Sequence, residues 1–267
     1  MTTVAVLCDP PRPGLVLPDL VAMTPLSPDE AADLYAALTK DTVRAVADSG
    51  GDLIVNYRPD GALDDAGHGG TGEEGTDGEE GTDSAQADEG AEAALRAVVA
   101  DVLDPDDVRF EPQVGETFAG RAGNTATHLL ESEGAASVGI TRPEAAFLAR
   151  PVIDGGAMKL RSTDAVLAPA PGGRVYYAAF GAPIDFADCY APPAVETLTD
   201  RILDAGLDVQ FLETKPYLET AADLADVLTG VRARRKADAL VPPALADWVD
   251  EADLVVEPTA DGLTVTR

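Results

Sequence analysis

The chain has 267 residues, 45% of them hydrophobic, enough for one large α/β domain or a domain with a small appendage. Its formal charge is −29, from 48 acidic against 19 basic side chains, of which only Lys40, Lys159, Lys215 and Lys236 are lysines. That balance argues against nucleic-acid binding, which needs a basic face for phosphates, and no apolar run approaches the ~18 residues of a membrane-spanning helix.

The acidity is partly local: residues 60–92 carry 12 acidic and no basic side chains. Without them the net charge is still −17, so the rest of the surface is acidic too. An acidic, lysine-poor surface fits a salt-rich cytoplasm, where ions screen self-repulsion. Cys8 and Cys189 show no CxxC spacing, and the first residues lack a basic stretch with a cleavage site. A cytoplasmic protein with incidental thiols is the expectation.

Residues 4–8 read as a first strand, followed by a loop, 9–14, whose prolines exclude a helix. Ser27-Pro28-Asp29-Glu30 is a capping box with proline at the first helical position. The helix it opens runs to about 48, with Ala31, Leu34, Leu38 and then Thr42 or Val46 spaced for one face. Residues 52–57 are a second strand, completing a β-α-β unit with a right-handed crossover. Residues 59–90 read as an unstructured acidic insertion in which Glu-Glu-Gly-Thr-Asp occurs at 73–77 and 79–83. His68 lies inside it without companion ligands.

A helix is expected at 92–103, a strand at 108–111 and a helix at 117–133 that stops at Gly134. Two apolar runs, 136–140 and 165–168, read as buried strands of a parallel sheet. Ligands in open α/β sheets sit at the carboxyl ends of strands. The loops Thr141-Arg142-Pro143-Glu144 and 169–174 are therefore where a site is expected. A strand at 175–180, a helix at 192–205, a strand at 209–212 and a helix at 220–234 follow, then a β-hairpin around Ala260-Asp261-Gly262. The alternation predicts an α/β three-layer α/β/α sandwich with a mainly parallel sheet. We expect an α/β domain over 1–236, interrupted at about 59–90, and a small extension over 237–267 with a helix and the hairpin.

Several segments together resemble a known family. They are Pro11-Arg12-Pro13-Gly14, the helix from Ser27, Gln113 to Arg121, Gly172-Gly173 before Tyr176-Tyr177, and Leu218-Glu219-Thr220-Ala221-Ala222-Asp223-Leu224. In order and spacing they resemble the radical-SAM/selenodomain-associated transferase family, type 1, over about residues 3–230. The resemblance implies a nucleotide-diphospho-sugar transferase (GT-A) fold, similar to that of 2-phospho-lactate guanylyltransferase. It implies a nucleotide or nucleotide-sugar ligand around Pro13, Gly14, Arg121, Thr141, Arg142, Gly172 and Gly173. It also implies a divalent metal, but the family's aspartate ligand falls at Thr141, so no metal ligand is expected here. The family's Lys-Thr-Arg after Pro-Gly is replaced by the uncharged Leu15-Val16-Leu17. The aspartate before Gly-Gly-Tyr-Tyr is replaced by Pro171.

Two readings follow. One is a diverged relative without the metal and phosphate residues, non-catalytic or nucleotide-binding. The other is a glycosyl- or nucleotidyltransferase with altered, metal-independent chemistry, in which Arg142 supplies the positive charge of the missing ion. Catalytic residues and oligomeric state are left open. So are three local choices: Gly172-Gly173 as turn or phosphate cradle, Glu219 and Asp223 as metal site or helix cap, and the Arg232, Arg234, Arg235, Lys236 cluster as dipole complement or anion contact. His128, alone on its helix, reads as a packed or surface residue.

Overall fold

The computed structural model describes residues 1–67, 83–260 and 262–267. In chain order these form β1 (Thr2–Cys8), α1 (Pro18–Met23), α2 (Pro28–Ala47), β2 (Asp52–Tyr57), α3 (Asp60–Gly67), α4 (Asp83–Ala100), β3 (Arg109–Pro112) and α5 (Phe118–Thr127). They continue with β4 (Ser137–Thr141), α6 (Arg150–Lys159), β5 (Ala165–Ala170), β6 (Arg174–Phe180), α7 (Ala194–Asp204) and β7 (Val209–Phe211). The chain closes with α8 (Ala221–Lys236), α9 (Pro243–Glu251), β8 (Val255–Thr259) and β9 (Gly262–Thr266).

Seven strands form one sheet in the order β3-β2-β1-β4-β6-β5-β7, and β8-β9 is a separate antiparallel hairpin. Only β6 runs against the others, pairing antiparallel with β4 and β5. The fold is the expected three-layer α/β sandwich with a mainly parallel sheet. Alternation along β1 shows why: Val4, Val6 and Cys8 face a core shared with α2, α4 and α6. Ala5 and Leu7 face the opposite core, with Ala122 of α5 and Leu198 and Ile202 of α7. A third core joins α1, α2, α8, α9 and the hairpin.

The capping box at α2 is present: the Ser27 hydroxyl accepts from Glu30 N at 3.2 Å, and Glu30 Oε2 accepts from Ser27 N at 2.8 Å. Ala31, Leu34, Leu38, Thr42 and Val46 are all buried. The last residues pack back onto this helix. Asp41 caps α9, accepting from Ala244 N at 3.0 Å and Leu245 N at 2.8 Å.

The stretch read as unstructured from 59 to 90 is helical at both described ends, in α3 and the start of α4. Tertiary anchors supply what its composition lacks: Asp60 pairs with Arg12, and α4 buries Ala91, Leu95 and Val99. Residues 68–82, with His68 and nearly all of the repeats, lie outside the described residues. The helix read over 117–133 ends earlier, at Thr127, and a wider turn, His128–Ser132, leads into Gly134 at φ +70°. Among the described residues no helix is long and apolar enough to cross a membrane.

Candidate functional site

The carboxyl ends of β1, β2 and β3 are tied into one platform, with β4 paired beside β1. Gln113, just past β3, is the tie: buried, it accepts and donates through its whole carboxamide. Its Nε2 donates to Cys8 O at 3.0 Å and Asn56 O at 2.7 Å, and its Oε1 accepts from Arg121 Nε at 2.7 Å. Arg121 is placed by α5, whose N-cap Thr117 accepts from Gly120 N at 3.0 Å. Its Nη1 donates to Glu116 O at 2.8 Å.

Each other arginine of this platform has an acid partner. Arg58, directly after β2, grips Asp9, directly after β1, at 3.0 and 3.1 Å. Arg12 pairs with Asp60, and Arg142, after β4, pairs with Glu144. Arg142 also lies 4.9 Å from the Phe118 ring and 6.0 Å from the Tyr217 ring, positions that suit a cation over an aromatic face.

Arg121 differs: among the described residues its hydrogen-bond partners are neutral. Burial first, and then the like charge of Arg58 and of Arg142, hold its guanidinium below the usual range, against a pull from Asp9. Arg121 is thus the arginine of this platform without an acid partner among the described residues, and it feels the charges of Arg58 and Arg142. Burial is the largest single influence and works against the charge of Arg142, but Glu144, Tyr217, Tyr35 and Asp9 together outweigh it and keep it a firm cation.

The sequence-predicted positions fall as follows. Pro13 and Gly14 are exposed in the turn after β1, with Gly14 at φ +81° and open space where a side chain would stand. Thr141 is buried, and its hydroxyl donates to Tyr176 O at 2.8 Å. Gly172 and Gly173, at φ +75° and +71°, make the turn between β5 and β6. A side chain at Gly173 would also meet Pro193 at 3.3 Å, so the turn by itself accounts for glycine there.

Asp223 caps α8 together with Thr220, and Glu219 adds only its backbone N–H to that cap. Asp223 Oδ2 accepts from Glu219 N at 3.1 Å and from Thr220 N and Oγ1, each at 2.8 Å. Arg174 clamps both Asp223 oxygens at 2.7 Å and reaches Glu219 at 3.2 Å. Three members of the basic cluster on α8 are likewise engaged locally. Arg232 and Arg235 donate to Leu254 O and Ala246 O, and Arg234 covers the Phe147 ring at 4.2 Å. His128 is largely exposed, 3.2 Å from Glu133.

The residues present do not fit the divalent metal that the resemblance implies. Thr141 spends its hydroxyl on a backbone carbonyl, and Asp9, Asp60 and Glu144 are each paired with arginine. Among the described residues no group of three or more acids, histidines or cysteines is arranged to hold a metal. Sequence reasoning found no cation after Gly14, singled out Arg121 and Arg142, and missed Arg58. The three follow β2, β3 and β4, strands on one side of the sheet order β3-β2-β1-β4: Arg58 and Arg142 come directly after their strands and Arg121 from helix α5. Arg58 and Asp9 were findable: each directly follows a strand.

The fold is similar to that of a provisionally assigned nucleotide-diphospho-sugar transferase from Desulfovibrio desulfuricans. It is 16% identical, matches over 94% of this chain and 98% of its own, and superposes with a TM-score of 0.67. The two chains share one fold. Weaker likenesses include a 4-diphosphocytidyl-2C-methyl-D-erythritol synthase from Anaerococcus prevotii, with 12% identity, coverage of 86% and 96% and a TM-score of 0.47. A CMP:2-keto-3-deoxy-manno-octonic acid synthetase complexed with CTP has 9% identity, coverage of 89% and 99% and the same TM-score of 0.47. No family model and no curated protein sequence matches the chain.

Proposed function

We propose that this protein is a diverged relative of the nucleotide-diphospho-sugar transferases that binds a nucleotide or nucleotide-sugar through arginines instead of a metal. The phosphates lie on Arg58, Arg121 and Arg142. The observation that carries this reading is Arg121, a half-buried cation without an acid partner among the described residues, flanked by two further arginines. A phosphate is the ligand that such a fork of guanidinium groups suits best.

Calorimetric titration with pyrophosphate and with UDP-glucose, with and without Mg²⁺, tests it. Binding is expected in the absence of Mg²⁺. Arg121→Ala is expected to weaken it by about 10- to 100-fold, the value of a hydrogen bond to a charged group. Binding that requires Mg²⁺, or that ignores Arg121→Ala, overturns the reading.

Transfer chemistry is the second reading, favoured by the same fixed cations, which can neutralise a leaving diphosphate as a metal does. Release of nucleoside diphosphate from a sugar donor is its test. The acidic, lysine-poor surface supports a salt-rich cytoplasm as the working environment. The midpoint of thermal unfolding should then rise from low to multimolar KCl; a flat or falling midpoint refutes that adaptation.

A further inference from the structure

A second group of cations surrounds a cavity that the platform does not touch. It has a volume of about 420 Å³ and opens between α2, the start of α6 and the loop from α8 to α9. Its α2 residues, 41–48, lead toward the amino end of β2, whereas the platform stands at carboxyl ends. None of Arg58, Gln113, Arg121 and Arg142 lines it. Arg44, Arg150, Lys215 and Arg234 do, against two acids, Asp41 and Asp48. In a chain with 48 acidic and 19 basic side chains, that inverts the overall balance.

Two of these cations are engaged and two are free. Arg150 pairs with Asp154, and Lys215 pairs with Glu213 and donates to Phe147 O at 3.4 Å. Among the described residues the side chains of Arg44 and Arg234 form no ion pair and no hydrogen bond. Asp41, one turn before Arg44, uses its two oxygens on Ala244 N and Leu245 N. Arg234 is held 4.2 Å over the Phe147 ring, a contact that steadies the guanidinium and takes none of its N–H donors. The rest of the lining is apolar, with Phe147 and Leu148 on one side and Pro242 and Pro243 on the other. Leu240 stands at the rim, 97% exposed, the most exposed large apolar side chain among the described residues. Its neighbours hold it there: Val241 packs on the third core, and Asp41 fixes the start of α9 just beyond.

We propose that this cavity binds a small amphipathic anion, with a carboxylate or phosphate head on Arg44 and Arg234 and an apolar body of a few carbons against Phe147, Leu148 and Leu240. The proposal does not depend on the phosphate reading of the platform. Two unengaged guanidinium forks match the oxygens of a carboxylate or a phosphate. A bare inorganic anion would leave the apolar lining in water, and a neutral apolar molecule would leave both forks without an acceptor. The volume lies within the ~300–1,000 Å³ usual for a small-molecule site. A free acid and a phosphate monoester offer the same kind of head.

The experiment is calorimetry on the full chain in 0.15 M KCl, where charges beyond about 8 Å are largely screened. The probes are acetate, butyrate, hexanoate, octanoate, hexyl phosphate, 1-hexanol and hexylamine. Affinity should rise by about two- to fourfold for each methylene added from acetate to hexanoate. Hexanoate should bind at least about tenfold tighter than 1-hexanol. Tighter binding of hexyl phosphate than of hexanoate assigns the head as a phosphate ester, and the reverse order assigns a free acid. Arg44→Gln and Arg234→Gln change exposed side chains, and each should weaken the tighter of the two by about tenfold. Leu240→Ser should flatten the chain-length series. Arg121→Ala should leave hexanoate binding unchanged, which separates this site from the platform. The inference is overturned if none of the anions binds, if affinity does not grow with chain length, or if 1-hexanol or hexylamine binds as tightly as hexanoate. Binding that survives both arginine substitutions, or that is lost with Arg121→Ala, overturns it as well.

Discussion

Two arginine–carboxylate pairs stand at the same end of the sheet and behave oppositely. In Arg174–Asp223 every acceptor is used: two guanidinium bonds at 2.7 Å, two backbone N–H groups and a threonine hydroxyl. Burial opposes the Asp223 charge, but Arg174 and the Thr220 and Glu219 donors outweigh it, and its carboxyl is held below the ordinary range. In Arg142–Glu144 the acid has one side-chain partner and its Oε2 is left without a hydrogen bond. There burial wins over Arg142, and the Glu144 carboxyl is pushed up. Residue type does not separate the two pairs. The number of donors around a buried acid does, and it marks one pair as scaffold and the other as a place where a ligand can contribute.

Breaking the saturated pair should have the largest effect on folding. Asp223→Ala leaves Arg174 buried without its partner and removes the α8 cap. A loss of about 3–5 kcal/mol is expected by urea denaturation. A loss within the ~0.5 kcal/mol typical of an ordinary surface change would remove the contrast.

The pH dependence of stability sharpens the comparison with a smaller effect. Asp223 has a folded-state pKa below its ordinary value, so its contribution is full above about pH 4 and fades as pH falls through the folded value. Glu144 has a folded-state pKa above its ordinary value, so its contribution is present in acid and is lost as pH rises through the folded value. The stability gap between wild type and Asp223→Asn should therefore widen from acid to neutral pH. The corresponding gap for Glu144→Gln should move the opposite way. Slopes of equal sign in urea melts across that range would show that the two acids are in the same electrostatic state.

Much of the fold was readable because its signals are local. The Ser27–Glu30 box, the stripe from Ala31 to Val46 and the apolar run of β4 each encode their element within a few residues. The Thr220 cap was readable for the same reason, while the role of Asp223 was not: its Arg174 partner lies 49 residues away. Helix α1, six residues long, falls below the length at which a periodic stripe can be seen. The ordered ends of the acidic stretch depend on Arg12 and on burial of Leu95, neither visible in a charge count.

By itself, then, the sequence determined the layer architecture, most helix starts and the region where a site would lie. Periodicity and capping are properties of neighbouring residues, and ligand sites follow strand ends. Tertiary structure alone decided that β6 runs backwards and that Thr141 is spent on a backbone carbonyl. It also decided that Gln113 holds Arg121 where the charges of Arg58 and Arg142, from other segments, act on it. Strand order sets those distances, and a charge placed by strand order has no signature in the residues around it.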